Sequence, residues 1–400
     1  MSPLKKIQTS PSASTLMDDS ESPASLFNEA ADSKMAKSEI AESEMDQSAF
    51  AKRSAFLLNQ NARRVNDKMV KQLLEVVPHG DLFLSKTLDD AAHFVDVIVA
   101  RGYGTVYTGG GDGTVVSTLN LLEKAVEKHG KKMPAIGVLK LGTGNAMANT
   151  LSAGNPIVDA HHIAAGGECI TQRRKWVVCD DGTRAPMAGV GYDGEVLNDY
   201  NWLKSKAKNP LSKWAAESVL GYLGAMMGRS IPRHLKQPEP NVRITSTKDA
   251  FRIVQGEHGD EEVLIKKGTV LYEGIGPAVC VGTIPYFGFG FHMFPHAKRR
   301  EEMMQLRIVA CGIPTVLTNL YPRIWHGTYR HPKIHDFLVD DIKIEGDRDL
   351  PYEIAGDAAG WRKTLQFSVS EEDFPMVHLG ERLPMGQGVL PPLAQPSKAA

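Results

Sequence analysis

The feature that most constrains the fold is a strand that runs directly into a glycine-rich loop and then into a helix. Residues 105–108 have the composition of a buried strand, and the loop at residues 109–114 follows without a spacer. Apolar residues then recur at helical spacing, at Val115, Leu119, Leu122 and Val126. A loop held between the end of a strand and the start of a helix is typical of α/β proteins.

The same alternation extends to both sides of this unit. Strand-like runs are predicted at residues 55–58, 82–84, 105–108 and 135–139, with helical periodicity between them. A repeated strand–helix order favours a parallel sheet covered by helices. After about residue 175, short alternating runs separated by turn residues favour an antiparallel β domain. The predicted fold class is α/β plus β, an N-terminal parallel α/β domain followed by an antiparallel β-sandwich.

Changes in composition divide the chain into four predicted parts. Its 400 residues are enough for two domains with separate cores. Residues 1–53 are predicted to be a disordered acidic tail, because few apolar side chains are available to offset the entropy of ordering. The α/β domain is predicted at residues 54–174 and the β-sandwich at residues 175–374, with a helical insertion at residues 198–231. Residues 375–400 form the C-terminal segment.

Global composition excludes some partners and compartments. The formal net charge of -1 gives no support to nucleic-acid binding. No secretory signal pattern is recognised, and no run approaches the roughly 20 apolar residues of a membrane span. The four cysteines lack metal-binding spacing and are predicted to be buried free thiols. We therefore expect a cytoplasmic protein, with contact at a membrane surface left open.

The first glycine loop has the properties of a phosphate site. Glycines let the backbone approach a phosphate, and free N–H groups at the helix start point towards it. Asp112 would repel a phosphate unless a cation lies between them, and Mg²⁺ is the natural candidate for this carboxylate. Thr114 would cap the helix or bind phosphate. A tight turn is the alternative interpretation of Asp112-Gly113. The predicted phosphate-binding glycines are Gly109, Gly110, Gly111 and Gly113.

A second loop, at residues 141–145, also follows a strand and opens a helix. Its candidate binding residues are Gly142, Thr143, Gly144 and Asn145. In a parallel sheet both loops lie at the carboxyl edge, where ligands bind, so they are predicted to line one cleft. Neither loop matches GxxxxGK[ST] or GxGxxG, which argues against an ordinary P-loop NTPase or a dinucleotide-binding Rossmann protein.

Together the two loops resemble the catalytic domain of the diacylglycerol kinase and sphingosine kinase superfamily. The resemblance covers about residues 54–380, and the paired loops are its specific part. Asn59 and Thr87 follow the first two strands, where this family has nucleotide contacts. Asp357 falls where the family has a late Asp-Gly-Glu motif. Weaker matches are the turn at residues 189–194 and the strand at residues 294–297.

The resemblance implies an enzyme with a NAD kinase-like first domain and a nucleotide cleft between its two domains. ATP and Mg²⁺ would bind there, with Asp112 helping to hold Mg-ATP. Asp357 would be the general base that takes a proton from the hydroxyl of a diacylglycerol-like or sphingoid-like lipid, a role suited to phosphoryl transfer. The resemblance further implies that residues 375–390 pack back on the first domain.

Three positions depart from the family pattern and keep other functions open. The late motif continues with Ala358 and Ala359 instead of Gly and Glu, and Ala146 stands where the family often has Asp. The alternatives are a NAD kinase-like phosphotransferase, or a nucleotide- or lipid-binding protein whose catalysis is impaired. The sequence names neither the lipid nor the oligomeric state.

A basic segment raises the question of membrane contact. The run from Trp202 to Lys236 carries seven basic residues against one acidic residue, Glu217, and surrounds an apolar stretch at residues 211–227. One interpretation is a peripheral surface that docks on anionic lipid. The other is a helix packed on the β domain with solvated basic ends.

Overall fold

The computed structural model describes residues 50–167, 169–206 and 238–382, with a few single positions between 224 and 232. Residues 1–49 of the predicted acidic tail lie outside these residues, and so do all but Gly224 of the apolar stretch at residues 211–227 and most of the predicted helical insertion. The described chain forms two sheets, one largely parallel and one antiparallel. The predicted fold class, a parallel α/β domain followed by an antiparallel β domain, is confirmed.

The first sheet has the strand order β2-β1-β3-β4-β18-β5. Its elements are β1 (Ser54–Asn59), α1 (Asp67–Val76), β2 (Leu82–Ser85), α2 (Leu88–Arg101), β3 (Thr105–Gly110), α3 (Asp112–His129), β4 (Ala135–Lys140), α4 (Ala146–Thr150), α5 (Pro156–Ala164), β5 (Cys169–Arg174) and β18 (Phe374–Arg382). Strands β1 to β4 are parallel. Their loops therefore emerge at one edge.

Local sequence signals explain where the helices begin and end. Thr87 and Asp90 form a reciprocal capping box at the start of α2, which satisfies backbone N–H groups that the helix leaves open. Gly102 and Gly130 end α2 and α3 in the left-handed conformation, which glycine adopts without steric penalty. The helical face predicted for α3 is buried at Val115, Leu119 and Leu122.

The second sheet is antiparallel and contains most of the later strands. Its elements are β6 (Val177–Val178), β7 (Arg184–Ala185), β8 (Met187–Gly191), β9 (Asn241–Thr245), β10 (Ala250–Gly256), β11 (Gly259–Ile265), β12 (Val270–Ile275), β13 (Ala278–Gly282), β14 (Met304–Val309), β15 (Ile334–Val339), β16 (Asp341–Ile354) and β17 (Asp357–Val369). Two helices accompany it, α6 (Tyr192–Lys206) and α7 (Ile313–Asn319). Its principal path runs from β11 through β15, β14, β13, β8 and β16 to β7.

The last described strand, β18, returns to the first sheet. It lies between β4, to which it is parallel at Met376, and β5, to which it is antiparallel. Met376 and Leu379 are fully buried there, so the end of the described chain contributes to the first core. Sheet membership thus changes between β5 and β6 and again between β17 and β18. The exact domain limits stay a prediction.

Two further sequence expectations can be compared with the described residues. All four cysteines are free, and three are buried, but Cys169 is only half-buried because it lies in the edge strand β5. None of the helices in the described part of the chain combines the length and hydrophobicity that crossing a bilayer requires.

Candidate functional site

The two glycine loops lie directly against each other. Strands β3 and β4 are parallel neighbours, with Gly110 opposite Lys140, so both chains leave the sheet side by side. A Cβ atom on Gly142 would lie 2.4 Å from Gly111 Cα and 2.6 Å from the Gly110 carbonyl oxygen. Only glycine permits this approach, so residue 142 is fixed by the contact between the two loops.

A cleft of about 580 Å³ opens where these loops meet the other strand ends of the first sheet. Of the residues predicted to bind nucleotide, it is lined by Asn59, Thr87, Gly111, Gly113, Thr114, Gly142 and Thr143, together with Asp357. Four successive strands and the β16–β17 hairpin therefore bring together residues that are up to about 300 positions apart in sequence. Both loops lie at the carboxyl edge of the parallel strands, as the sequence predicts.

The polar residues of the cleft are already partly engaged with one another. The Asn59 side-chain amide donates to the Thr114 hydroxyl oxygen at 3.1 Å. Asn59 Oδ1 accepts the backbone N–H of Asn61 at 2.9 Å. The Thr87 hydroxyl accepts the backbone N–H of Asp90 at 3.0 Å, which makes it a helix cap at the rim of the cleft. These bonds fix the positions of Asn59 and Thr87 before any ligand binds.

Four of the predicted loop residues serve the scaffold and do not line the cleft. A Cβ on Gly109 would meet Leu58 Cδ2 at 2.3 Å, and one on Gly110 would meet Thr114 Oγ1 at 2.4 Å. Asn145, with a positive φ of 55°, accepts the Gly142 N–H at 2.9 Å and donates to the Gly142 carbonyl at 2.8 Å. Asn145 thus closes the second loop on itself. Gly144 Cα lies against Gly288, 3.8 Å from the position that a Cβ there would take.

Asp112 is buried beneath the loops, and it is not among the residues that line the cleft. Its two carboxylate oxygens accept the backbone N–H groups of Ala146 and Met147, each at 3.0 Å. Asp112, in the first turn of α3, therefore caps α4 and ties the first loop to the second. Burial raises the pKa of Asp112, the two amides oppose that rise, and the nearby charge of Asp357 adds to it.

Asp357 reaches the cleft because it follows the tight turn of the β16–β17 hairpin. Ile354 pairs with Asp357, and the two turn residues Ala355 and Gly356 both have positive φ, 50° and 86°. This is the pattern of a type I′ turn, in which alanine at the first position is strained. The fully buried Glu353 steadies the turn, since its carboxylate accepts the Gly356 N–H at 2.7 Å.

The hairpin places Asp357 against the first turn of α3. A Cβ on Gly113 would lie only 2.4 Å from Asp357 Oδ2, so the carboxylate occupies the space that a side chain at residue 113 would need. The N-cap residue of α3 is Gly111, which has no side chain to cap the helix, and the helix dipole favours an anion at this end. Two acidic side chains, Asp112 from the helix itself and Asp357 from strand β17, thus lie near the same helix end.

Sequence reasoning missed several residues of the cleft wall, namely Asn61, Arg63, Lys86, Ser117 and Tyr200. The first three lie in the loops that follow β1 and β2, so the rule that ligands bind at the carboxyl edge would have found them. Ser117 is one turn beyond Thr114 on α3. Tyr200 comes from α6 of the antiparallel domain, and no local signal in the sequence indicates its proximity.

The two weaker motifs do not line the cleft. Residues 294–297, which were expected to form a strand, instead form a loop and turn, and Phe294 and Ala297 pack in the same core as the first sheet. Gly191, with φ 101°, allows the Pro277 carbonyl to approach, since a Cβ would lie 1.9 Å from that oxygen. His296 is buried, and its backbone N–H donates to Gln305 Oε1 at 2.7 Å. Gln305 in turn donates to Asp336, which Arg307 pairs in a bidentate salt bridge at 2.7 and 2.9 Å. This network belongs to the core of the second sheet.

Comparisons with known proteins show similarity in sequence to one part of the chain and in fold to most of it. Residues 54–172 match the model of the diacylglycerol kinase catalytic domain. The probable lipid kinase YegS of Escherichia fergusonii is 37% identical over 81 residues, which cover 20% of this chain and 26% of that protein. The same-named protein of Shigella flexneri is 36% identical over 81 residues. The match thus spans about a quarter of the length of these relatives.

The fold likeness extends further along the chain than the sequence likeness. A crystal structure of a diacylglycerol kinase from Bacillus anthracis superposes with a TM-score of 0.54 at 17% identity, and covers 82% of this chain and 97% of that one. At such low identity the superposition shows a common fold. The resemblance to the diacylglycerol kinase superfamily that the paired glycine loops indicated is confirmed by the domain match.

Proposed function

We propose that this protein is an ATP-dependent lipid kinase, which transfers the γ-phosphate of ATP to a hydroxyl of a diacylglycerol-like or sphingoid-like lipid. The observation that carries the proposal is the position of Asp357 at the α3 N-terminus, on the wall of the cleft that both glycine loops line. A carboxylate there can accept a proton from an acceptor hydroxyl while backbone amides hold phosphate beside it. The domain match and the lipid kinase relatives support the same chemistry.

The residues of the cleft would have different roles in phosphate transfer, according to their chemistry. Open N–H groups of Gly111, Gly113 and Thr114 would bind phosphate oxygens, because the helix dipole favours negative charge at this end. Lys86, which also lines the cleft, would add positive charge. Asp357 would orient the acceptor hydroxyl and take its proton. Such positioning and charge neutralisation are the main requirements of phosphoryl transfer.

The donor set fits the magnesium ion that Mg-ATP brings. Asp112 and Asp357 are hard oxygen donors at the same helix end, and each oxygen of Asp112 keeps a second lone pair beyond its amide bond. A divalent cation would offset both the burial of Asp112 and the repulsion between the two carboxylates. When bound, Mg²⁺ would neutralise phosphate charge. Within the described residues no cluster of three or more acidic, His or Cys side chains forms a protein-only metal site.

The test is phosphate transfer from labelled Mg-ATP by the full chain, with a panel of lipids and with NAD. Asp357→Asn keeps the shape of the side chain and removes the base, so we expect transfer to lipid to fall by at least ~100-fold while nucleotide still binds. Asp112→Ala leaves two buried amides without an acceptor, so both nucleotide affinity and thermal stability should fall. Asp349→Asn, an exposed residue of the same hairpin, is the control.

The outcomes separate the alternatives that the sequence left open. Transfer to a lipid that Asp357→Asn abolishes and Asp349→Asn spares supports the proposal. Transfer to NAD alone overturns it in favour of a NAD kinase-like enzyme. ATP binding without transfer to any acceptor indicates a binding protein whose catalysis is lost. We propose a cytoplasmic location, with the protein meeting its lipid at a membrane surface.

A further inference from the structure

One surface segment of the antiparallel domain combines an exposed tyrosine, a half-buried tryptophan and exposed basic side chains. It runs from Leu320 to Lys333, after α7. Tyr321 is 74% exposed, the largest value among the exposed large hydrophobic residues of the described chain. The His326 ring lies 5.8 Å from the Tyr321 ring, and Arg323, His326 and Lys333 of the same segment are exposed. We call Tyr321, Arg323, Trp325, His326 and Lys333 the aromatic–basic face.

The charge of this face is of one sign. From Met303 to His335 the sequence contains no acidic residue. Two arginines of that stretch form salt bridges with acidic residues outside it, Arg307 with Asp336 and Arg330 with Asp260. Among the residues that the structure describes, no carboxylate pairs with Arg323 or Lys333. The face therefore presents positive charge that the rest of the described fold does not neutralise.

A series of packing contacts connects the aromatic–basic face to the second glycine loop. Trp325 stacks on Phe291 with ring centroids 5.6 Å apart, and its carbonyl accepts the His292 N–H at 2.9 Å. Just before Phe291, the turn Gly288–Gly290 packs against α4, and Gly288 lies beside Gly144. These contacts connect the second glycine loop at Gly144 to Trp325, and the next residue, His326, contacts the Tyr321 ring.

We infer that the aromatic–basic face docks on an anionic bilayer and holds the second glycine loop close to the membrane surface. An aromatic ring with a polar tip suits the interface between headgroups and acyl chains, and basic side chains suit an anionic surface. The inference rests on the proposed function, because a lipid acceptor must reach the cleft from a membrane. Its occupant is the bilayer itself, in preference to a protein partner, because the exposed charge is uniformly positive and Tyr321 stands out from the surface.

The experiment is co-sedimentation of the full chain with vesicles, without ATP. Vesicles of phosphatidylcholine mixed with phosphatidylglycerol should pellet the protein, and vesicles of phosphatidylcholine alone should pellet less of it. Arg323→Gln with Lys333→Gln should lower the partition coefficient by about 30-fold, at roughly 1 kcal/mol per basic residue and 1.4 kcal/mol per tenfold. Tyr321→Ser should weaken binding to both kinds of vesicle.

A matched control removes two other exposed basic residues. Lys124→Gln with Lys132→Gln changes the net charge equally, but near the far end of α3, a helix of 18 residues and about 27 Å. Wild-type protein that stays in the supernatant overturns the inference. So does binding that the Arg323 and Lys333 changes leave intact, which would point to the basic segment between Trp202 and Lys236, and so does an equal loss in the control.

The docking surface and the proposed function can each be refuted without refuting the other. A chain that binds anionic vesicles through this face but transfers no phosphate refutes the proposed function and keeps the docking surface. A chain that phosphorylates a detergent-dispersed lipid but does not bind vesicles keeps the function and refutes the docking surface.

Discussion

At the scale of single residues, the two acidic positions of the site have different structural roles. Asp112 is buried, with both oxygens on the backbone of α4, whereas Asp357 lines the cleft. Gly113 of the first loop lies against Asp357, and its missing side chain leaves room for the carboxylate. The position of the proposed base therefore depends on a glycine that sequence reasoning assigned only to phosphate binding.

Gly113→Ala tests this dependence. The new methyl group would lie 2.4 Å from Asp357 Oδ2, so the carboxylate has to move away. Alanine is favoured over glycine within a helix by up to about 1 kcal/mol, so the free energy of unfolding should stay level or rise. Phosphate transfer should nevertheless fall by ~10-fold or more, because small displacements of catalytic groups are costly. Transfer unchanged in a stable variant would show that the position of Asp357 does not matter.

At the scale of elements, the β16–β17 hairpin belongs to the second sheet but places the candidate base, Asp357, against helix α3 of the first domain. Its turn is strained at Ala355, and a buried carboxylate, Glu353, holds the N–H of Gly356. Strain at a functional turn is tolerated when the surrounding structure fixes it. The antiparallel pairing of β16 with β8 and β17 supplies that constraint here.

Opposite substitutions at the two turn residues should have opposite effects. Ala355→Gly removes a left-handed alanine and should raise the free energy of unfolding by up to about 1 kcal/mol. Gly356→Ala, at φ 86°, introduces the same strain and should lower it by about 1–2 kcal/mol. Chemical denaturation of both variants measures the change. Equal effects of the two substitutions would contradict a type I′ turn at this position.

At the scale of the whole molecule, a buried histidine, His296, lies against charged residues of the second sheet. His296 is 4% exposed, and burial lowers its pKa. The charged groups that face it are Asp260, with an oxygen 3.7 Å from Nε2, Asp336, at 4.0 Å, and the arginines bound to those two residues. Burial also lowers the pKa of His292 and His335.

These shifts predict a loss of stability in mild acid. A histidine whose pKa is lowered on folding binds its proton more readily in the unfolded chain, so stability falls as the pH drops below the ordinary value of about 6.5. His296→Phe should reduce the slope of unfolding free energy against pH, by at most about 1.4 kcal/mol per pH unit. Chemical denaturation of the wild-type protein and of His296→Phe at several pH values measures the slope of unfolding free energy against pH for each. An unchanged slope would mean that His296 does not titrate differently on folding.

The sequence by itself determined the local units of this protein. Strand, glycine loop and helix are encoded by neighbouring residues, so the parallel sheet, the two loops at its edge and the family resemblance followed from short-range patterns. Asn59, Thr87 and Thr114 lie in the cleft for the same reason, because the carboxyl ends of parallel strands share one edge.

Tertiary structure alone decided which side chains face the cleft and which support it. Asp112 and Asn145 look alike in sequence as polar loop residues, yet packing turns both to the backbone of the loops. Tyr200 enters the cleft from the other domain, and Asp357 meets Gly113 across more than 200 residues. Such contacts depend on how the two sheets pack together, and this packing cannot be predicted from the residue periodicity of any single segment.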